Sequence, residues 1–483
     1  MIRKSRFTRL QKFIFSTLAA ILFLSIGVRA IAYTPKHYTE IEFPPLPEVT
    51  LPEYQRYQLD NGMVVYLIED RDLPLINGTA LIRTGTRYEP SDKVGLARLT
   101  GSLMRTGGTE NYTPEELNAT LEENAASVES RIGTTTGSAS FNTLTEDLDI
   151  VLELFSEVLQ QPVFAPDKLE LAKNQSKGAI ARRNDDPQEI ADREFDKLIY
   201  GASSPYGRTV EYETLDNIQR EDVVAFYQNY IRPENMILGI VGDFETSEML
   251  SKVKEAFGDW NVATPNPLLE KPSVTQENQG GIYVIDRPEL TQSSVLIGHL
   301  GGTLENPDYP VLSVLNGLLN GFGGRLFNEV RSRQGLAYSV YGVWNPNYDY
   351  PGKFYAGGQT QTETTVPFIK SVLGEIKELQ NNPVGKQELE DAKESILNSF
   401  VFNFQNPSQT LSRLMRYEYF GYPEDFIFKY QEGIKNTTVK DIQQAAQKYL
   451  KPEQAVTLVV GNKSAIDPSL DTLDEEVVTL NID

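Results

Sequence analysis

Of the residue types that most often do chemistry, two are scarce in this 483-residue chain. There are no cysteines, which excludes disulfides, thiol nucleophiles, zinc ribbons and iron–sulfur clusters. The two histidines, His37 and His299, lie too far apart to sit on neighbouring turns of one helix as a two-histidine metal site. What remains is an arginine and a tyrosine. The stretch Gly321 to Gly342, GFGGRLFNEVRSRQGLAYSVYG, reads as a glycine-rich turn followed by a helix carrying Leu326, Phe327, Val330 and Arg331. Gly335 stops that helix, and a strand runs from Leu336 to Tyr341. Alternation puts Leu336, Tyr338 and Val340 on one face. Arg331 and Tyr338 can then converge and donate hydrogen bonds to a carbonyl or a developing oxyanion. A structural reading stands beside this one: an arginine capping helix carbonyls and a tyrosine packed at a sheet edge. Short spacings match by chance, so spacing alone leaves both open.

The elements that position the pair belong to a duplicated unit. DVVAFYQNYIRPENMILGIVGD (222–243) aligns without gaps with DIQQAAQKYLKPEQAVTLVVGN (441–462), pairing Tyr230 with Tyr449, Pro233 with Pro452 and Gly242 with Gly461. LELAK (169–173) matches LEDAK (389–393), and LMRTGG (103–108) lines up with the segment ending Gly323-Gly324, at nearly the same offset. One steady offset means two copies of one α+β unit. Within the first copy, Asp60-Asn61-Gly62 signals a hairpin over Tyr57 to Leu67, and a strand follows from Leu75 to Arg83. Gly95 to Arg105 reads as a helix with Leu96, Leu99 and Leu103 on one face. Thr113-Pro114-Glu115-Glu116 is a capping box, Ile132 to Asn142 is strand-like, and Asp147 to Gln160 is an amphipathic helix. The organisation expected is a half-domain over 53–263, a polar linker over 264–280, a second half-domain over 281–463 and a loose acidic tail over 464–483.

The first 32 residues have the plan of a secretory signal peptide: Arg3, Lys4, Arg6, Arg9 and Lys12, then an apolar run from Phe13 to Val28, then Ala30-Ile31-Ala32. Residues 33–52, rich in proline, read as an extended arm. The expectation is an exported protein of the periplasm or an equivalent envelope or luminal compartment, anchored there if the leader stays uncleaved. The net charge of −22 argues against nucleic acid and, beyond the signal segment, against membrane surfaces.

RLFNEVRSRQGLAYSVYG resembles the hallmark of the C-terminal half-domain of the M16 metallopeptidases, the family of pitrilysin, insulysin and the mitochondrial processing peptidase. The resemblance runs from about Tyr54 to Asn462. It implies two homologous α/β half-domains with the M16/LuxS-like metallohydrolase fold, forming a clamshell around a peptide chamber. It also implies a role for Arg331 and Tyr338, since family members use an arginine and a tyrosine seven residues later to reach substrate at a zinc site. Active members carry HxxEH on the first helix and a glutamate about 77 residues beyond it. TRYEPSDKVGLARLTGSLMRTGG (86–108) resembles that helix, but Arg98 stands in the first histidine position, Gly101 in the glutamate position and Ser102 in the second histidine position. Ala179, before ARRNDDP, takes the place of the distant glutamate.

None of the four replaces what is lost. An arginine is cationic and repels Zn²⁺. Glycine and alanine offer neither ligand nor base, and Ser102 lacks a neighbouring base. His299, on an apolar strand, reads as a hydrogen-bonded core residue. The resemblance therefore implies a non-catalytic, substrate-binding subunit of a heterodimeric M16B zinc peptidase. It would have no cofactor of its own and little activity alone. Its partner would carry HxxEH and the zinc, and peptide would be the substrate. The other reading is an inert M16-like scaffold or peptide-binding protein with no role in proteolysis.

Overall fold

The computed structural model describes residues 51–483 apart from Leu268, Phe322 and Asp483. The leader and nearly all of the arm lie outside the described residues. In the first half, β1 (Gln55–Gln58) and β2 (Val64–Glu69) form the expected hairpin. Gly62 turns it at φ +90°, in the left-handed region that glycine enters without a Cβ penalty. There follow β3 (Leu75–Ile82), α1 (Leu96–Thr106), α2 (Pro114–Glu123), β4 (Ser127–Ile132), β5 (Gly137–Leu144), α3 (Leu148–Gln160) and α4 (Pro166–Arg182). Then come α5 (Pro187–Tyr200), α6 (Tyr212–Asp216), α7 (Arg220–Tyr230), β6 (Met236–Gly242) and α8 (Thr246–Phe257). The capping box forms, with Glu116 N donating to Thr113 Oγ1 at 3.2 Å and Thr113 N to Glu116 Oε2 at 3.0 Å.

The second half repeats the order with β7 (Ile282–Asp286), β8 (Gln292–Leu300), α9 (Tyr309–Leu319), a π-helical turn (Phe327–Arg333), β9 (Ala337–Asn345) and β10 (Lys353–Gln361). It continues through α10 (Thr365–Asn381), α11 (Lys386–Phe400), α12 (Pro407–Phe420), α13 (Phe426–Asn436), α14 (Val439–Tyr449), β11 (Val456–Gly461) and β12 (Val477–Thr479). Each half is built on one six-stranded sheet, ordered β1-β2-β6-β3-β5-β4 and β12-β7-β11-β8-β10-β9. The expected pair of homologous α/β half-domains is what folds.

Two expectations are corrected. Ile132 to Asn142 is not one strand: it spans the β4–β5 turn, and the edge strand is β4. The tail over 464–483 is not loose. Ile466 and Leu470 are buried in the second core, and β12 pairs parallel with β7. It takes the outer position that β1 holds in the first sheet, so the acidic residues punctuate a short apolar run that completes an edge.

The halves exchange helices. One face of each sheet packs on helices of its own half. The other face of the second sheet is covered by α5, through Ile190, Phe195 and Ile199 against Leu296, Leu458 and Val460. Reciprocally, α12 sets Leu411, Met415 and Tyr419 against Tyr66, Leu81 and Val241 of the first sheet. A buried ion pair, Arg87 Nη1 to Asp349 Oδ2 at 2.8 Å, crosses between halves with side chains 5% and 4% exposed. The faces that the halves turn toward each other are therefore packed on α5 and α12. Among the described residues no helix is long and apolar enough to cross a membrane.

Candidate functional site

Arg331 lies on the π-helical turn, where Gln334 N reaches back five residues to Glu329 O at 3.0 Å. Gly335, at φ +65°, then releases the chain into β9. The three arginines of this segment differ. Arg325 makes a two-pronged contact with Glu388 (2.6 and 3.1 Å), and Arg333 pairs with Glu329. The Arg331 side chain makes no ion pair or hydrogen bond among the described residues. Its guanidinium carbon instead lies 4.8 Å from the Phe327 ring centroid and 4.7 Å from that of Tyr338, within cation–π range of both.

Tyr338 is 83% exposed, because the register of β9 on β10 slips beside it: Gln359 pairs with Ser339, but Thr360 pairs with Ala337. Two residues of β9 thus face one of β10, and Tyr338 is the extra one at a bulge. The expected shared face of Leu336, Tyr338 and Val340 is broken there. Leu336 and Val340 pack on the second core while Tyr338 is aimed at solvent. The predicted convergence is real, but a bulge and a π-turn produce it, not regular alternation.

The degenerate metal positions gather elsewhere. Arg98, Ser102 and Ala179 line one cavity of about 820 Å³, bounded by α1, α4 and the segment before α6. Gly101 is not among its lining residues. A Cβ there would meet Ile132 N at 2.4 Å and Arg131 C at 2.8 Å, so glycine is what lets α1 lie against β4. The contact is tied by Ser130 Oγ donating to Gly101 O (2.6 Å) and Arg105 Nε to Val128 O (2.9 Å).

The cavity does not fit zinc. Among the described residues its lining has no imidazole or thiolate, and its two carboxylates are Glu89 and Glu189. Glu89 is already bound to the start of α1, accepting from Ala97 N at 2.9 Å. Burial pushes the Glu89 carboxyl up, against the opposing pull of that backbone bond and of Arg208 and Arg98. His299 is 1% exposed; its Nδ1 donates to Leu300 O (2.9 Å) and its Nε2 accepts from Lys451 N (3.1 Å). That fixes one neutral tautomer, and burial holds the ring below its ordinary pKa.

Sequence reasoning missed the company Arg98 keeps. Arg182, Arg183, Arg193 and Arg208 line the same cavity. The Arg182-Arg183 pair, in a chain of net charge −22, was the available signal; Arg193 and Arg208 are brought in only by the tertiary fold.

Comparison with known proteins agrees with this architecture. Residues 78–207 match the model of the insulinase family, peptidase family M16, and residues 217–396 match that of the peptidase M16 inactive domain. The chain is 23% identical over 364 residues to the uncharacterized zinc protease YmxG of Bacillus subtilis, covering 74% of this chain and 86% of the relative. It is 23% identical over 411 residues to the non-peptidase homolog YmxG of Helicobacter pylori, covering 79% and 88%. A crystal structure of a peptidase M16 inactive domain from Pseudomonas fluorescens matches with a TM-score of 0.77 at 24% identity, covering 86% of this chain and 100% of that one. The periplasmic protease PqqL from Escherichia coli matches with a TM-score of 0.73 at 17% identity, over 88% of this chain and 49% of its own. With two adjoining family models, a duplicated sheet-and-helix unit and this shared fold, the chain belongs to the M16 peptidase family.

Proposed function

We propose that the chain is the non-catalytic, substrate-binding subunit of a heterodimeric M16B zinc peptidase. The partner chain carries HxxEH and the zinc, and this chain closes the peptide chamber and brings Arg331 and Tyr338 to the scissile peptide. The observation that carries the reading is the contrast within one segment. Arg325 and Arg333 are neutralised by Glu388 and Glu329, while among the described residues Arg331 is held by the rings of Phe327 and Tyr338, with the phenol in solvent. A guanidinium and a phenol held this way have no acceptor among the described residues, which is what an oxyanion-binding pair requires. Two further features support a two-chain enzyme. The facing sheet surfaces of the halves are already packed on α5 and α12, so a peptide chamber calls for a second chain. And Arg98, Gly101, Ser102 and Ala179 supply neither metal ligand nor base. Export to a periplasmic or equivalent compartment belongs to the same proposal.

The test is peptide hydrolysis by this chain, by an HxxEH-bearing M16 chain from the same cell, and by both together. Activity in the mixture well above the sum of the separate rates is expected. No synergy, with the two chains co-purifying, would favour an inert scaffold.

A further inference from the structure

We propose that the cavity at the degenerate metal position is an anion site that takes a peptide carboxylate on Arg98, Arg182 and Arg208. The inference deepens the reading of the chain as a peptide-binding subunit and rests on it for the nature of the ligand.

Five arginines line this cavity in a strongly acidic chain, and their partners divide them. Arg183 is tied to Glu211 (2.7 Å), and Arg193 to Glu194 (2.8 Å), Arg183 O (2.7 Å) and Asn184 Oδ1 (2.7 Å). These two hold the wall together. Arg98 and Arg182 are exposed and form no ion pair or side-chain hydrogen bond among the described residues. Arg208 is only 10% exposed; its Nη2 donates to Thr86 O (2.8 Å) and Glu89 O (2.7 Å). Its Nε is buried with no hydrogen-bond partner among the described residues. A buried guanidinium N–H left without an acceptor is costly, and Arg208 stands as a fixed cation in the wall beside Arg98 and Arg182.

The lining carboxylates offset only part of this charge. Glu89 forms an ion pair with Arg208 at 3.9 Å while accepting from the α1 backbone, Glu189 faces solvent, and among the described residues five lining arginines stand against these two carboxylates. Between the cations the wall is apolar, with Val94, Leu99, Ile180, Val210 and Leu215. A cavity of about 820 Å³ with apolar stretches of wall and several guanidinium groups suits an organic anion with an apolar body, and Arg binds carboxylates in two-pronged fashion. A peptide presents such a group either as an Asp or Glu side chain or as its free C-terminus.

Calorimetry on the purified chain alone, with three peptides of matched apolar sequence, tests this. One carries glutamates and an amidated end, one carries glutamines and a free carboxylate, and one carries glutamines and an amidated end. Either carboxylate-bearing peptide should bind about tenfold or more tightly than the third, the worth of one charge-assisted contact. Which of the two binds identifies the source of the carboxylate. Added salt should erode the preference, and so should Arg98→Gln with Arg182→Gln, both exposed positions that leave the core untouched. Equal binding of all three peptides, or a preference that survives the double substitution, would overturn the proposal. Because no partner chain is present, failure here with synergy intact in the mixed assay would remove the cavity's role and leave the partnership standing. The reverse outcome would do the opposite.

Discussion

Replacing Gly101 by alanine sets two effects against each other. Alanine is the better helix former by about 1 kcal/mol in a helix interior, so propensity alone predicts a more stable protein. The structure predicts the opposite. The added methyl would lie 2.4 Å from Ile132 N, 2.8 Å from Arg131 C and 2.9 Å from Ile132 Cγ1, where ordinary contacts are about 3.5–4.0 Å. Relief requires α1 to withdraw from β4 by about 1 Å. That stretches the bonds from Ser130 Oγ to Gly101 O and from Arg105 Nε to Val128 O. Overpacking of this kind costs about 1–3 kcal/mol, and weakening two hydrogen bonds adds about 1 kcal/mol each at most. The helix gain offsets only part of this. We expect a loss of about 1–3 kcal/mol, or a few degrees in Tm for a half-domain of this size. Gly374, inside α10, is the control, because its Cβ would meet nothing within 4 Å. Gly374→Ala should therefore gain stability. Urea and thermal unfolding by circular dichroism read both variants. If Gly101→Ala proves as stable as Gly374→Ala, the close approach of α1 to β4 is wrong. Rebuilding HxxEH with Arg98→His, Gly101→Glu and Ser102→His, plus Ala179→Glu, meets the same contact. The rebuilt chain should melt below the parent and hold no stoichiometric zinc by elemental analysis.

The remaining predictions concern the junction and the buried histidine. Asp349→Ala leaves the buried Arg87 charge without its ion-pair partner between the halves and should cost about 3–5 kcal/mol in denaturant unfolding, and Arg87→Ala should cost less, because Asp349 keeps Lys271 Nζ at 3.9 Å. Replacing both by apolar residues should recover most of that, since Arg87 Nε and Asp349 Oδ1 lack hydrogen-bond partners among the described residues even in the parent; an Asp349→Ala variant within about 1 kcal/mol of the parent would refute this. For His299, burial depresses the folded-state pKa below the ordinary 6.5, outweighing the hydrogen bond to Leu300 that raises it. The folded chain therefore takes up this proton less readily than the unfolded one. Its contribution to stability is present above about 6.5 and is lost as pH falls through the folded value. Tm measured from about pH 8 to pH 5 should drop less steeply in His299→Gln than in the parent, and equal slopes would contradict the assignment.

The sheet-and-helix framework could be read from the sequence because its signals are local and repeated. Asp60-Asn61-Gly62 makes its hairpin, Thr113 and Glu116 make their capping box, and the duplication carries the order of elements from one half to the other. What could not be read depends on contacts distant in sequence. The exchange of α5 and α12 is invisible because an amphipathic helix does not declare which sheet it will cover. The tail's β12 was hidden behind its acidic neighbours, since a three-residue strand has too little alternation to register. At the candidate site, Arg331 and Tyr338 lie side by side, but the bulge that exposes Tyr338 is a one-residue slip against Gln359 and Thr360. No pattern within β9 alone records it. The arginine cavity joins residues from 98 to 208 and exists only in the folded chain.

The most direct test of the central claim is turnover of the reconstituted pair with Arg331→Ala or Tyr338→Phe in this chain, with assembly checked separately by co-purification. Loss of an oxyanion donor should lower kcat by about 10² to 10³ while the two chains still associate. Full turnover in both variants would mean that these side chains never reach the reacting peptide, and the account of this chain as the arm of another subunit's active site would fall.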